Sequence, residues 1–160
     1  MRRNGYSLVE LLAVLAILGV LAAMAMPLAQ MSAERSRETE LRRALWEIRD
    51  ALDAYHAARL SNAIAAPPGS DPSGPAYPPN LHALTELQHD QRATHHGETL
   101  RFLRQVPRDP FADPALEPEQ TWGLRSYESE ASKPMPGPEV YDVYSRAPGT
   151  ALNGVPLSQW

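Results

Sequence analysis

Hydrophobic and polar residues are segregated along the chain, and the N-terminal third is the most regular part. No charged residue occurs over positions 11–33, and the apolar run reaches Ala29 across Pro27. About 20 apolar residues in a helix span the hydrocarbon core of a bilayer. The pattern therefore predicts a membrane-spanning helix over residues 6–29.

Beyond position 30 the same helix is predicted to continue with an amphipathic pattern, over residues 30–65. Its apolar positions recur at intervals of four and three residues, as expected for one helix face: Leu41, Leu45, Ile48, Leu52 and Tyr55. We expect this stripe to be covered by the rest of the domain, and a coiled-coil partner is the alternative. A helix over 6–65 would be about 90 Å long. No 160-residue protein needs such a helix for its own core, so half of it must be buried by lipid or by other copies in a filament.

The sequence of the C-terminal part, residues 66–160, predicts turns and short elements. Fifteen of the sixteen prolines lie from Pro67 onward, and residues 66–75 predict a loop. Asn80 offers an N-cap for a short helix over 81–87.

A second helical piece is expected near residues 98–105, ahead of two strands. Residues 122–127 and 140–145 are predicted to be those strands; the second is rich in β-branched and aromatic residues. They could pair as a small antiparallel sheet packed on the long helix. The predicted fold class is α+β.

Composition and local motifs argue against catalysis and nucleic-acid binding. The net charge of −4 gives no basic surface for nucleic acid, and the absence of cysteine excludes disulfides and thiolate metal sites. No nucleophile elbow or phosphate-binding loop is present, so we expect no enzyme activity. Four histidines are clustered in sequence and are interpreted as solvated surface residues, with a metal site as the minor alternative: His82, His89, His95 and His96.

Glu10 is the informative residue, because it lies at the entry of the apolar helix. A carboxylate in hydrocarbon is costly and normally has a partner. Cleavage between Gly5 and Tyr6 would create an α-amino group that could be this partner on another copy. Arg2 and Arg3 would hold the leader, residues 1–5, on the cytoplasmic side until then.

An ordinary secretory signal peptide is the competing interpretation of this N-terminus. Such signals carry their cleavage site after the apolar stretch, where Met26-Pro27-Leu28 is a poor site. The apolar stretch also continues without a break into the amphipathic pattern.

Residues 5–12, Gly-Tyr-Ser-Leu-Val-Glu-Leu-Leu, resemble the prepilin motif of type IV pilin-like proteins. The resemblance implies cleavage after Gly5 by a membrane prepilin peptidase and N-methylation of Tyr6, where most of the family has Phe. It implies that Glu10 neutralises the N-terminus of a neighbouring subunit during assembly. Pro27 falls where pilin helices commonly carry a proline, and a proline permits a kink.

Later segments resemble the major pseudopilins of type II secretion systems. These segments are Tyr77-Pro78-Pro79, residues 102–111, and residues 141–145 with a tail ending in Trp160. The resemblance implies a single-pass protein of the bacterial inner membrane with its C-terminal part in the periplasm. Its partners would be further copies of itself, minor pseudopilins, the prepilin peptidase and the inner-membrane secretion platform.

The chain departs from major pseudopilins in the segment that follows the last predicted strand. Members of that family bind calcium there with aspartates, whereas residues 146–160 contain no acidic residue. Calcium prefers several oxygens with net negative charge. We therefore expect no calcium site and no other cofactor.

Two further functions stay open from the sequence. A type IV pilus subunit for adhesion, motility or DNA uptake would share the N-terminal features, although such pilins often carry a C-terminal disulfide. A single-pass anchored periplasmic binding domain would not polymerise, and it would leave Gly5 uncut and Glu10 without a role.

Overall fold

The computed structural model describes residues 7–71, 74–92 and 97–160, with the backbone alone for residues 24–28. The principal element is helix α1, Leu8–Leu60, of 53 residues. The described residues fall into two units, one extending to Arg37 and the other formed by Glu38–Trp160.

The first unit consists of the N-terminal part of α1. Residues 7–23 are all exposed, and their large apolar side chains include Leu8, Val9, Leu11, Leu12, Val14, Leu15, Ile17, Leu18, Val20 and Leu21. Within the described residues, no helix combines the length and the hydropathy expected of a membrane span.

Helix α1 ends five residues earlier than the sequence pattern suggests, at Leu60 rather than position 65. Asn62 adopts a left-handed conformation with φ of 54°, which asparagine tolerates better than most residues. The Ala63 amide donates to the Ala58 carbonyl at 2.8 Å, as in a Schellman C-cap. This turn directs Ile64 into the core, where it is buried, so the last apolar residues pack back instead of extending the helix.

The predicted apolar stripe of α1 is confirmed as the centre of the core in the second unit. Leu41, Leu45, Ile48, Leu52 and Tyr55 have at most 2% of their surface exposed. Residues from the C-terminal part cover the stripe, among them Leu84, Leu103, Trp122, Val143 and Leu157.

The two short helices predicted for the C-terminal part, over 81–87 and near 98–105, are not found as predicted. Residues 81–87 contain only one 3-10 turn, His82–Leu84, and the Ala83 amide donates to Asn80 Oδ1 at 3.0 Å, so the predicted cap is present. The prediction of a helix near residues 98–105 is wrong.

Strand β2, Thr99–Leu100, lies in that place and pairs antiparallel with β1, Gln88–His89. The amides of Phe102 and Leu103 both donate to the Leu84 carbonyl, at 3.2 and 2.9 Å. These bonds hold the segment against the preceding turn, and its amides are therefore not free to form a helical ladder.

The two predicted C-terminal strands are confirmed, with shorter bounds. Strand β3, Trp122–Arg125, pairs antiparallel with β4, Asp142–Ser145. Gly123 lies opposite Tyr144, and a Cβ atom at that glycine would overlap the tyrosine ring. The small sheet therefore depends on a residue without a side chain. The α+β arrangement of a long N-terminal helix with small antiparallel sheets agrees with a pilin-like fold.

Candidate functional site

The predicted processing site, Gly5 and Tyr6, lies outside the described residues. Glu10 is exposed in the first turn of α1, and the Leu11 amide donates to the Ser7 carbonyl at 3.1 Å. The free amides of a helix N-terminus form the positive end of its dipole. Glu10 is therefore an exposed acidic group at the positive end of an otherwise apolar helix surface.

Pro27 lies inside α1, and the helix continues through it. Proline lacks the amide proton needed for one helix hydrogen bond. The bend predicted at this position stays a prediction.

Arg49 joins α1 to the C-terminal end of the chain. Its Nε donates to Asp142 Oδ1 at 2.8 Å, and its Nη2 donates to the backbone oxygens of Val143 at 3.1 Å and Trp160 at 2.7 Å. The planar fork of a guanidinium suits such a set of acceptors, because its donors point in fixed directions. One side chain thus ties the helix, the last strand and the end of the tail together.

Asp142 is shared between two guanidinium groups. Arg125 Nη2 donates to Asp142 Oδ2 at 2.8 Å, whereas Arg49 Nε donates to Oδ1. Arg125 also lies over the Tyr141 ring, 4.9 Å from its centroid. The carboxylate is therefore satisfied by two cations of the protein itself.

The segment after β4 makes two further contacts with α1. The Leu152 amide donates to Glu38 Oε1, and the Arg42 guanidinium lies 4.3 Å from the centroid of the Trp160 ring. A cation over an aromatic face is attracted by the ring quadrupole. Three side chains of α1, namely Glu38, Arg42 and Arg49, hold this segment in place.

The donor set around this segment does not fit a calcium ion. The backbone oxygens of Val143 and Trp160 accept from Arg49, so both already have a positively charged partner within the chain. Asp109 Oδ2 accepts from the Ser145 hydroxyl, and its Oδ1 accepts from a backbone amide. Over residues 7–71, 74–92 and 97–160, no group of three metal-ligating side chains is found.

The histidine cluster is only partly visible, since His95 and His96 lie outside the described residues. His82 is exposed, and its Nδ1 lies 3.3 Å from Glu119 Oε1. His89 is exposed in β1. These positions agree with the interpretation of His82 and His89 as surface residues.

A cluster of aromatic rings joins α1 to the sheet and to the loop before it. The His56 ring stacks on Tyr77 at a centroid distance of 4.3 Å, and Tyr77 contacts Tyr141 edge-on at 5.1 Å. Tyr127 lies 5.3 Å from Tyr141. Burial, followed by the neighbouring Tyr141 and the charge of Asp53, raises the pKa of Tyr77. The rings hold the loop from Tyr77 onto the helix.

The sequence interpretation missed both Arg49 and Asp142. Arg49 follows Ile48 and lies about 100° further around the helix, off the apolar stripe. A charged residue at the border of an apolar stripe, with a long side chain, is the signal that could have pointed to a partner. Its acceptors, which lie 93 to 111 residues further along the chain, leave no local signal.

Comparison with known proteins gives a match at the N-terminus. Residues 1–26 match the family described as the prokaryotic N-terminal methylation motif. No curated protein and no solved structure matches the chain. The match covers the predicted leader, the cleavage position and the apolar start of α1, and it supports a type IV pilin-like protein.

Proposed function

We propose that this type IV pilin-like chain is a structural subunit of a type II secretion pseudopilus, made as a precursor and cleaved after Gly5. One observation carries the proposal. The methylation motif of residues 1–26 continues without a break into α1, Leu8–Leu60, whose apolar side chains over 7–23 are exposed. Exposed apolar surface of this extent needs a covering, either lipid or other copies of the chain.

Cleavage prepares the subunit for assembly in this proposal. Removal of residues 1–5 takes away Arg2 and Arg3 and creates the α-amino group of Tyr6, which is then N-methylated. Glu10 of one copy neutralises the N-terminal charge of its neighbour. An unpaired charge in an apolar filament core would be costly, so assembly selects cleaved subunits.

The proposed subunit is anchored in the bacterial inner membrane by residues 6–29, with its C-terminal unit in the periplasm. Copies are extracted and stacked with their apolar helices at the centre of the filament. Minor pseudopilins, the prepilin peptidase and the inner-membrane secretion platform are the proposed partners. The subunit has no enzyme activity, and a separate cytoplasmic ATPase supplies the work.

Sequence segments outside the N-terminal motif favour type II secretion over a type IV pilus. These are Tyr77-Pro78-Pro79, residues 102–111, and the last strand with its tail to Trp160. Calcium has no role in this proposal, since Arg49 and Arg125 neutralise Asp142.

Mass spectrometry of the chain purified from its host membrane tests the processing step. We expect an N-terminus at methylated Tyr6. A chain that begins beyond Pro27 would show a secretory signal peptide and would overturn the proposal. A chain that retains residues 1–5 would support an anchored periplasmic domain instead.

Deletion of the gene tests the assignment to secretion. We expect exoproteins to accumulate in the periplasm, with surface pili unchanged. Loss of surface pili with normal exoprotein secretion would assign the chain to a type IV pilus.

A further inference from the structure

Trp46 is the most exposed tryptophan among the described residues, with 75% of its surface accessible. It lies on α1 in the second unit, on the side of the helix away from the core stripe. A large aromatic side chain in this setting is unusual for a solvated helix face, and tryptophan and arginine are enriched at the energetic centres of protein interfaces. These features indicate that the exposed side of α1 contacts a protein partner.

Two pairs of exposed residues flank this side of the helix. Arg42 and Trp46 are four residues apart and share one flank, whereas Asp50 and Ala54 are four residues apart and share the other. At 100° per residue the two flanks are about 80° apart, and both face away from the core stripe. We name them the Arg42–Trp46 patch and the Asp50–Ala54 patch.

The patches are complementary in charge and in size. One offers a guanidinium beside a large indole, and this guanidinium also lies over the Trp160 ring of its own chain. The other offers a carboxylate beside a methyl group. Asp50 has no hydrogen-bonding or ionic partner within the part of the chain that the structure describes. The Arg42–Trp46 patch also borders a groove of about 330 Å³, whose further walls include Asn153, Val155 and Trp160.

We infer that the Arg42–Trp46 patch binds the Asp50–Ala54 patch of a second copy whose α1 runs parallel. A shift of eight residues, about 12 Å along the helix, brings both pairs level. Trp46 then packs on Ala54 while Arg42 faces Asp50. The inference rests on the proposed filament and names the residues that set its subunit spacing.

The arrangement explains why the two patches lie on different flanks. A contact between two different surfaces leaves one patch free at each end, and such heterologous contacts generate open helical assemblies. A two-fold contact of Trp46 with Trp46 would close after two copies. In such a two-fold contact, Arg42 of one copy would lie beside Asp50 of the other only if the two helices ran antiparallel.

Cysteine cross-linking tests the contact directly, because the chain has no cysteine of its own. Full-length Trp46→Cys and Ala54→Cys variants are produced together in the host, and membranes are treated with a short bismaleimide. We expect cross-linked dimers only when both variants are present. Dimers from Trp46→Cys alone would show a two-fold contact and would overturn the inference.

Charge reversal supplies an independent measurement on the full chain. Asp50→Arg is expected to lower the amount of filament by about tenfold, the size of one interfacial charge pair, and addition of Arg42→Glu to restore it. Glu40→Arg is the matched control, since it makes the same charge change at an exposed position of α1 outside both patches. Equal losses from Asp50→Arg and Glu40→Arg would overturn the inference.

Measurements on the parent chain distinguish a failure of this contact from a failure of the proposed function. Parent filaments together with absent Trp46–Ala54 cross-links would overturn the inference and leave the proposed function standing. Processed parent chains that form no filament would overturn the proposed function.

Discussion

Arg49 Nε lies 2.8 Å from Asp142 Oδ1, so that an arginine of α1 is joined to an aspartate of the last strand across 93 residues of sequence. The same guanidinium donates to the backbone oxygens of Val143 and Trp160. The interaction is half-buried. Its contribution to stability comes from the number of acceptors that depend on one side chain.

Replacement of Arg49 is expected to loosen the C-terminal tail. Arg49→Ala should lower the free energy of unfolding by about 1–3 kcal/mol, because three acceptors lose a charged donor. Arg49→Lys should recover only part of the loss, since an ammonium lacks the planar fork. Denaturant unfolding of the purified full-length chain measures both changes.

Arg43→Ala is the matched control for the Arg49 variants. Arg43 is exposed on the same helix, and no hydrogen bond or ion pair of its side chain is found among the described residues. A surface change of this kind should stay within about 0.5 kcal/mol. Equal losses for Arg43→Ala and Arg49→Ala would contradict a tethering role.

Calcium is expected to leave the stability of the chain unchanged. Binding to the folded state alone raises the melting temperature as ion concentration rises, and the backbone oxygens of Val143 and Trp160 already accept from Arg49. Thermal unfolding with calcium and with a chelator measures the effect. A rise of the melting temperature by tens of degrees in calcium would contradict this prediction.

Gly123→Ala is expected to destabilise the β3–β4 sheet. The added methyl group would overlap the ring of Tyr144, and overpacking of this kind costs about 1–3 kcal/mol. Gly74→Ala is the control, because its nearest neighbour, Asp71, would lie 3.4 Å from the new Cβ atom. Loss of stability in the Gly74 variant alone would show that the sheet tolerates the methyl group.

Glu10→Ala is expected to separate processing from assembly. Cleavage after Gly5 should proceed, while filament should fall at least tenfold, because the N-terminal amine of a neighbouring copy would be buried unpaired. Mass spectrometry and filament recovery report the two steps. Glu34→Ala, at the first carboxylate beyond the apolar stretch, is the control that should assemble normally.

Alkaline pH is expected to weaken the core through Tyr55. Burial is the main cause that raises the pKa of this phenol above 10.0; Arg59 lowers it and Glu86 raises it further. The folded chain therefore holds the proton more tightly than the unfolded chain, and the free energy of unfolding falls as pH rises from the unfolded pKa through the folded one.

Tyr55→Phe should reduce this dependence, measured by melting temperatures between about pH 9 and 11. The parent chain, measured over the same pH range, is the reference. An unchanged slope in Tyr55→Phe would contradict the assignment.

Periodicity predicted the parts of the fold that depend on local pattern. The stripe from Leu41 to Tyr55 is buried as expected, and the strands β3 and β4 pair as expected, because one face of each element must be covered. The end of α1 was misplaced because the αL turn at Asn62 competes with a run of helix-forming alanines. The helix near 98–105 was wrong because tertiary hydrogen bonds to Leu84 override its local preference.

The candidate sites also differ in whether a local sequence pattern could predict them. Gly5, Tyr6 and Glu10 could be proposed because the motif that contains them is contiguous in sequence, and the match at residues 1–26 supports that motif. The roles of the three residues stay predictions. The partners of Arg49 had no local signal, since its acceptors lie 93 to 111 residues further along the chain. Asn80 was identified correctly as a cap, although the turn that it caps is shorter than predicted.

The distance in sequence between the α1 stripe and its covering residues has a consequence for the order of folding. The stripe is synthesised first, whereas Val140, Val143 and Leu157, which help to bury it, are synthesised last. Contacts of such long sequence separation form slowly, and exposed apolar surface promotes aggregation in the meantime. A nascent chain halted before β4 would therefore present an incompletely covered stripe to chaperones and proteases, whereas the completed chain hides it.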